Sequence, residues 1–479
     1  MKKTKRILAA ILAAILLAAG LSACSTTDEN VEAEIPAITW YVPGVQQSDL
    51  TSVLEEINKI TTEKIGATVD LQIVDTGAYQ DRMTMMIGAN DDFDLCYTAD
   101  WINVFSRNAS RGAYMSLNEM LEARPALKES IPEYLWTAAT VGGDIYAVPN
   151  VQMEFTQTSL CVLKSLADKY NLDTESIKKV EDIEPFLEQV KQGEPGIYPI
   201  KVGLSLFTNP VMEKILDTEI AVRKDTGEVV VYCEQPEYLA SAQKIHDWYQ
   251  KGYVRGDIAS VTDDTQEKNA GKYAVWEEQY KPGAEAELKA RLGGKEVVFI
   301  PVEEPYLKAN AGQPSLTAVG RNAAHPEKAL ELLELVNIDQ ELYNLFAYGV
   351  EGKHYTKNSD GKVVINQEGG YTLNSAWMFG NQFNAYIQEG QDDDVWIKTE
   401  EMNDSARRSP VFGFQFDTDP VKTEVSQITS VTKEYGTMDR GAEDPTPIYD
   451  EFVAKMKEAG IEKVKEEFER QLDDWKAAQ

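Results

Sequence analysis

The residues in this sequence best suited to chemistry are tryptophans that stand beside carboxylates or amides. Trp101 follows Asp100 directly, and Trp377 is followed within five positions by Asn381 and Gln382. An indole ring packs against the apolar C–H face of a pyranose ring, while carboxylates and amides bond to its paired hydroxyl groups. These residue types at this spacing indicate binding of a sugar or of another hydroxyl-rich molecule.

Three further side chains are candidates because of their place in the predicted elements. Tyr41 ends the first predicted strand before a Pro-Gly turn, and strand alternation lets either Trp40 or Tyr41 point outward. Glu154 follows Pro149-Asn150, from which its side chain can extend toward a ligand site. Trp276 precedes two glutamates and a Lys-Pro-Gly turn, which is the composition of a cleft loop. We therefore count Tyr41, Glu154 and Trp276 as candidate ligand-binding residues.

Each candidate also has a purely structural interpretation. Trp101 can cap the local core while Asp100 caps a helix, Glu154 can be a solvated strand residue, and the segment around Trp377 can serve packing. The spacing of the remaining tryptophans in predicted helices favours a place in the core for Trp136, Trp248, Trp396 and Trp475.

Several classes of function are disfavoured by motifs and charge. The sequence has no GxSxG, HExxH, GxxxxGK[ST] or GxGxxG motif, and its three histidines are scattered. Acidic residues outnumber basic residues 79 to 47, and a net charge of −32 repels nucleic acid phosphates. We expect a binding protein without metal or cofactor and without nucleic acid as a partner. A glycosidase carboxylate pair stays an alternative that product formation would reveal.

The first 36 residues predict export and not a folded domain. A basic start precedes the apolar run Ile7–Leu21, and Leu21-Ser22-Ala23-Cys24 resembles the lipobox of bacterial lipoproteins. We predict a signal peptide over 1–23, lipidation at Cys24 and a flexible tether over 24–36. The alternatives are an ordinary secretory signal and a short transmembrane anchor. The other cysteines, Cys96, Cys161 and Cys233, are predicted to be buried free thiols.

The elements that must position the candidates alternate between strands and helices. The order strand, helix, strand, helix, strand over 37–97 predicts an open, mostly parallel α/β sheet. Trp101 then stands just after the third strand, at the carboxyl edge where such sheets bind ligands. Further strands are predicted at Val229–Tyr232 and Val297–Pro301, and the chain closes with two amphipathic helices over 448–475.

Four segments resemble the extracellular solute-binding proteins of bacterial ABC importers, in particular their large carbohydrate-type group. They are Gly142–Pro149 (GGDIYAVP), Pro326–Leu333 (PEKALELL), Tyr348–Tyr355 (YGVEGKHY) and Ala459–Trp475. Their order along the chain, behind a lipobox, is typical of that family. Some members carry a calcium loop, but residues 358–362 lack its spaced acidic ligands and predict a hairpin turn instead.

The resemblance implies a two-lobed fold of the periplasmic-binding-protein type II-like class, with a hinge and an interlobe cleft. By analogy, lobe one comprises 36–151 and 297–345, and lobe two comprises 152–296 and 346–479. The hinge crossings are expected near Val151 and near Lys295.

The resemblance also implies a function. We expect a monomer, lipid-anchored on the extracellular face of a Gram-positive-type cell membrane, that captures an oligosaccharide for ABC permease subunits. A peptide or another small polar solute is an alternative ligand. A surface sensor or adhesin without a transport role is an alternative function, because it would share the fold and the anchor.

Overall fold

A computed structural model describes residues 35–216, 218–373 and 375–477 of the protein. The predicted signal peptide and Cys24 lie outside these ranges.

The first strand shows how the sequence builds the sheet that positions the candidate site. Alternate residues of this strand, Ile38, Trp40 and Val42, are completely buried, as a strand with one face on a core requires. Leu50–Ile65 forms the predicted helix, which ends at Gly66 in a left-handed conformation.

The strands and helices have the following bounds. In chain order the strands are β1 (Ala37–Pro43), β2 (Thr68–Val74), β3 (Leu95–Thr98), β4 (Thr140–Val141), β5 (Asp144–Ile145), β6 (Ala147–Pro149), β7 (Thr158–Leu163), β8 (Tyr198–Lys201), β9 (Met212–Ile215), β10 (Ile220–Arg223), β11 (Val229–Val231), β12 (Tyr273–Gln279), β13 (Val297–Pro301), β14 (Tyr306–Leu307), β15 (Leu316–Val319), β16 (Tyr355–Lys357), β17 (Val363–Ile365) and β18 (Arg407–Arg408). The α-helices are α1 (Leu50–Ile65), α2 (Thr76–Ala89), α3 (Phe105–Ser110), α4 (Asn118–Glu122), α5 (Pro125–Ser130), α6 (Glu133–Ala138), α7 (Lys164–Lys169), α8 (Glu184–Gly193), α9 (Ser205–Thr208), α10 (Pro236–Gln250), α11 (Thr265–Asn269), α12 (Ala284–Arg291), α13 (Pro326–Ile338), α14 (Gln340–Tyr348), α15 (Val395–Ser405), α16 (Lys422–Glu434), α17 (Gly436–Asp439), α18 (Tyr449–Glu458) and α19 (Ile461–Ala477).

Two main sheets organise the chain. The first has the order β2-β1-β3-β15-β6, in which β1 is parallel to β2 and β3, while β15 is antiparallel to its neighbours. The second has the order β13-β7-β12-β8, with β8 parallel to β12 and β7 antiparallel to both neighbours. A smaller antiparallel sheet, β11-β10-β9, packs with the C-terminal helices. The predicted parallel sheet at the N-terminus is thus confirmed.

The division between the two sheets differs from the predicted boundaries at two places. Strand β13 pairs with β7 in the second sheet, although we had placed 297–345 in lobe one. Residues 346–385, which we had placed in lobe two, pack on the core of the first sheet. The Tyr371 hydroxyl, for example, donates to the Phe346 carbonyl at 2.7 Å. Because α14 is buried on the first core, the chain that follows it stays on the same side.

We therefore call residues 37–151 and 316–385 the first lobe, and residues 158–301 and 411–477 the second lobe. The first lobe has one apolar core, and the second lobe has two, one on each of its sheets. Three crossing segments, 152–157, 302–315 and 386–410, connect the lobes. Their own small core consists of Phe155, Leu307, Ala311 and Ala406.

Smaller predictions from the sequence are also confirmed. Cys96, Cys161 and Cys233 are buried and free. Residues 358–362 form the turn of the β16–β17 hairpin, in which Gly361 has a φ of +77°. Across the described ranges, none of the helices is both long and apolar enough to pass through a bilayer.

Candidate functional site

An aromatic cluster, which consists of Tyr97, Trp101 and Trp377, lies at the carboxyl end of β3. The ring centroids of Trp101 and Trp377 are 6.4 Å apart, and Tyr97 lies 6.2 Å from Trp101 and 5.9 Å from Trp377. The Trp101 indole N–H donates to the Pro314 carbonyl at 3.1 Å. Because this bond fixes its orientation while 51% of Trp101 stays exposed, the ring is ready to take a flat apolar ligand face.

The segment that carries Trp377 is held against the first lobe. The Ser315 hydroxyl donates to the Trp377 carbonyl at 2.9 Å, and the Val151 N–H donates to the Gly380 carbonyl at 2.7 Å. Gly380 has a φ of +41°, and a Cβ atom there would come within 2.7 Å of the Val336 carbonyl oxygen. Only glycine therefore fits this approach to α13.

Asp100 lies beside the cluster and is tied to the 302–315 crossing segment. Its N–H donates to the Gln313 carbonyl at 3.1 Å, and the Asn310 side-chain amide donates to its carboxylate. Burial raises the pKa of Asp100, against these hydrogen bonds. The carboxylate keeps acceptor capacity for hydroxyl groups, because an ionised carboxylate has about four lone-pair sites.

Glu154 lies deeper in the hinge and links two crossing segments. One carboxylate oxygen accepts the Gly312 N–H at 2.7 Å, whereas the other has no hydrogen-bond partner among the described residues. The side chain of Asn403, from the third crossing segment, accepts the Glu154 N–H at 2.8 Å. Only 8% of Glu154 is exposed, and this burial raises its pKa to about 8, with a smaller contribution from the Asp100 charge.

A cavity of about 1040 Å³ adjoins the aromatic cluster at Asp100, the residue of this group that lines it, and has walls from both lobes. The 302–315 crossing segment contributes Lys308, Ala309, Asn310 and Gln313 to its lining. Its lining includes Asp100, Arg107 and Thr140 on the first lobe and Gln415, Phe416 and Trp475 on the second. A depression of about 820 Å³ elsewhere is lined by α1 alone and contains no aromatic side chain.

Some charged side chains that line this cavity form ion pairs, and others do not. Arg111 of the first lobe approaches Asp419 of the second lobe to 3.7 Å, so one exposed ion pair spans the lobes. Arg107 and Lys308 make no ion pair within the described ranges. Uncommitted cations and an aromatic wall suit a ligand with many hydroxyl groups, since each buried hydroxyl needs a partner. In the same ranges, no group of three His, Cys, Asp or Glu side chains is placed to hold a metal ion.

Of the eight predicted ligand-binding residues, the structure brings Trp101 and Trp377 into ring contact, with Asp100 directly before Trp101. Asn381 and Gln382 follow Trp377 on the same segment. The Asn381 side-chain oxygen accepts the Phe383 N–H at 2.9 Å, while the Gln382 backbone N–H donates to the Val151 carbonyl at 2.8 Å. Their remaining amide groups make no side-chain bond elsewhere in the described chain.

The other three residues are not part of the aromatic cluster, although Glu154 lies close enough to Asp100 for the Asp100 charge to raise its pKa. The Tyr41 ring packs edge-on against Phe93, with centroids 6.4 Å apart. Trp276 is completely buried in the second lobe and donates to the Glu278 carboxylate at 3.0 Å, so it presents no face to a ligand. Trp276 lies in β12, which pairs with β7 on one side and with β8 on the other. Its side chain faces the core of this sheet. Glu154 is in the hinge and not in the cleft wall.

The residues that sequence reasoning missed are Phe416 and Trp475. Trp475 packs against the second-lobe core, as predicted for a helical core residue, but it is half-buried at the last turn of α19 and also lines the cavity. Trp475 follows Leu472 by three positions, a spacing that also separates buried apolar residues of α19. The apolar period therefore did not distinguish Trp475 from these core residues. In the structure, the Trp475 ring contacts the Phe414 ring with centroids 5.8 Å apart, and both residues line the cavity.

Comparison with known proteins gives a family-model match to the C-terminal part and relatives that match most of the chain. Residues 410–477 match a family model described as a domain of unknown function, DUF3502. The chain is 30% identical, over 99% of both lengths, to a carbohydrate ABC transporter substrate-binding protein of Streptococcus pneumoniae serotype 4. The crystal structure of the N-glycan transport solute binding protein (NgtS) from Streptococcus pneumoniae is 27% identical and has a TM-score of 0.79, covering 92% of this chain and 98% of that chain.

Two crystal structures of NgtS with ligands are also similar. The complexes with Man1GlcNAc and Man5GlcNAc have TM-scores of 0.68 and 0.64, again at 27% identity and over 92% of this chain, and 99% and 98% of those chains are covered.

Proposed function

Because this chain belongs to the carbohydrate ABC transporter substrate-binding proteins, we propose that it binds an oligosaccharide between its lobes and delivers it to a permease. The type II-like two-lobed α/β fold that the four motifs predicted is confirmed by its similarity to NgtS. The chain supplies capture, and the energy for import has to come from other subunits.

The observation that carries the proposal is the position of the aromatic cluster. It lies at the carboxyl edge of a mostly parallel strand set, next to Asp100, which also lines a cavity with walls from both lobes. Trp101 and Trp377 offer flat faces for pyranose rings. Asp100, Asn381 and Gln382 offer acceptors and donors for the ring hydroxyl groups.

A hinge motion on binding is part of this proposal. The chain has a TM-score of 0.79 to one NgtS structure and of 0.68 and 0.64 to the complexes with Man1GlcNAc and Man5GlcNAc. A ligand favours a closed form only if it contacts that form better than the open one. A cavity with walls from both lobes satisfies this condition.

The first ligand class to test is a mannose-containing N-glycan fragment. NgtS has been crystallised with Man1GlcNAc and with Man5GlcNAc. Both are neutral and rich in hydroxyl groups, which fits a chain with a net charge of −32.

Anchoring completes the proposed function. We propose that residues 1–23 are removed, that Cys24 is lipidated, and that residues 24–36 tether the lobes to the extracellular face of the membrane. A second acyl chain beside the first would give stable attachment, since one chain binds only marginally. The protein would thus stay near its permease.

The test of binding is isothermal titration calorimetry of the mature protein with Man1GlcNAc, Man5GlcNAc and a neutral tripeptide. We expect saturable binding of the glycans and none of the peptide. At a ligand concentration about 100-fold above the Kd, the free energy of unfolding should rise by ~2.7 kcal/mol. If the protein binds the peptide and neither glycan, its cargo is a peptide and not a sugar.

A further inference from the structure

The tryptophan that we predicted on the second-lobe side of the ligand site, Trp276, is not exposed there. Trp101 and Trp377 both belong to the first lobe, and Trp276, which we had expected opposite them, is buried in the second-lobe core. Closure of a two-lobed binding protein needs ligand contacts from both sides. Some other group of the second lobe must supply them.

The indole N–H groups separate the eight tryptophans into three sets. Four donate to a protein acceptor: Trp101, Trp248, Trp276 and Trp396. Trp40 and Trp136 have an N–H that is buried without a partner. The N–H groups of Trp377 and Trp475 are neither bonded to the described chain nor buried, and both side chains are half-buried. Trp475 is thus the second-lobe counterpart of Trp377 in accessibility and donor capacity.

Trp475 is held rigidly in the cavity wall. Its ring packs edge-on against Phe414 at 5.8 Å, and Phe414 packs on Phe468 at 5.1 Å. One turn earlier, Gln471 exchanges two hydrogen bonds of 2.9 Å with the backbone of Asp417. This fixes the loop that carries Phe416 beside α19. A fixed aromatic wall loses little entropy when it takes a ligand.

Polar groups stand around this wall. Arg107 lies across the cavity on the first lobe, and its guanidinium makes no side-chain bond to the described residues. On the second lobe, Asp417 is exposed, and one of its carboxylate oxygens accepts the Asp419 N–H at 3.0 Å. A donor on one lobe and an acceptor on the other match the hydroxyl groups of a sugar unit between them.

We infer that Trp475, with Phe416 beside it, forms an outer subsite on the second lobe that takes a distal unit of an extended oligosaccharide. The inference rests on the proposed function. The cavity, at about 1040 Å³, is at the upper end of ligand pockets, and it extends from Asp100, beside the aromatic cluster, to Phe416 and Trp475 on the second lobe. A short ligand occupies the cluster alone, whereas a long one reaches Trp475 and draws the lobes together.

The test compares two ligand lengths on two variants. Isothermal titration calorimetry with Man5GlcNAc and Man1GlcNAc is carried out on the unmutated mature protein and on Trp475→Ala. We expect the Kd for Man5GlcNAc to rise about tenfold or more, and the Kd for Man1GlcNAc to change less than about threefold. Lys476→Ala, an exposed neighbour on the same helix, should leave both values unchanged.

Trp475→Leu controls for a folding defect, because leucine keeps an apolar contact with Phe414 but has no ring face. It should weaken Man5GlcNAc binding selectively, as Trp475→Ala does. Equal weakening for both glycans would assign Trp475 to lobe packing and overturn the inference, as would unchanged affinity in both variants. If the unmutated protein binds neither glycan, the proposed function itself fails, and the outer subsite fails with it.

Discussion

Trp101 and Trp377 place their indole rings 6.4 Å apart on one lobe, although they come from distant parts of the sequence. The 302–315 crossing segment holds both, through Pro314 for Trp101 and Ser315 for Trp377. The aromatic cluster is therefore complete before the lobes close. A ligand can dock on the first lobe, and the second lobe then determines how strongly the closed form is favoured.

Replacing Glu154 with Gln should change how stability depends on pH. In the unfolded chain this carboxyl group has its ordinary pKa of 4.5, but burial raises the pKa to about 8 in the folded protein. Between these pH values the folded state keeps a proton that the unfolded state has lost, so the free energy of unfolding falls as the pH rises from about 5 to 8. Glutamine keeps the bond from Gly312 and does not titrate.

Chemical denaturation at pH 5.5 and pH 8.5 measures this effect. We expect Glu154→Gln to gain at least ~1 kcal/mol relative to the unmutated protein on going from the lower to the higher pH. Asp439, whose pKa burial raises to about 6, is present in both proteins and cancels in the comparison. A difference that is constant across this pH range would show that Glu154 is already ionised in the folded state.

Replacing Gly380 with Ala should loosen the segment that carries Trp377. The new Cβ atom would lie 2.7 Å from the Val336 carbonyl oxygen at a φ of +41°, so the backbone has to move. We expect a loss of ~2 kcal/mol or more in the free energy of unfolding. Gly361→Ala is the matched control, since its φ is +77° but nothing lies within 4 Å, and it should cost about 1 kcal/mol or less. Equal losses in urea denaturation would contradict the close approach.

Replacing Cys24 with Ala should abolish lipid anchoring, because only a thiol accepts the diacylglycerol group. We expect the variant in the culture medium, or unprocessed with its signal peptide, when the fractions are analysed by immunoblot and mass spectrometry. Ser25→Ala, the adjacent substitution, should leave anchoring intact. Normal processing and membrane retention of Cys24→Ala would refute the lipobox interpretation.

Local pattern predicted much of the fold. Apolar alternation located β1, and the repeated strand and helix signals located the first parallel strands. The lobe boundaries were harder, because periodicity shows that Val297–Pro301 is a strand but not that β7 is its neighbour. Strand pairing over long sequence separations depends on tertiary packing, which a single sequence does not record.

The candidate site was predictable where it lay next to a strand end. Asp100 and Trp101 follow β3 and therefore reach the carboxyl edge of the sheet. Trp276 shows the limit, because its neighbouring glutamates and Lys-Pro-Gly turn indicated a cleft loop, whereas the residue lies inside β12 and is buried in the core. Trp475 shows a second limit, since it packs on the core, as its helical stripe predicts, and also lines the cavity, which the stripe does not indicate.

The most direct test is the affinity of Trp101→Ala for Man5GlcNAc, measured by calorimetry beside Met85→Ala. Met85, like Trp101, is an exposed apolar side chain of the first lobe, but it is not part of the aromatic cluster, so its replacement controls for surface effects. We predict that Trp101→Ala folds normally and binds at least about tenfold more weakly, near 1.4 kcal/mol, while Met85→Ala binds like the unmutated protein. A folded Trp101→Ala variant with unchanged affinity would contradict sugar binding at the aromatic cluster.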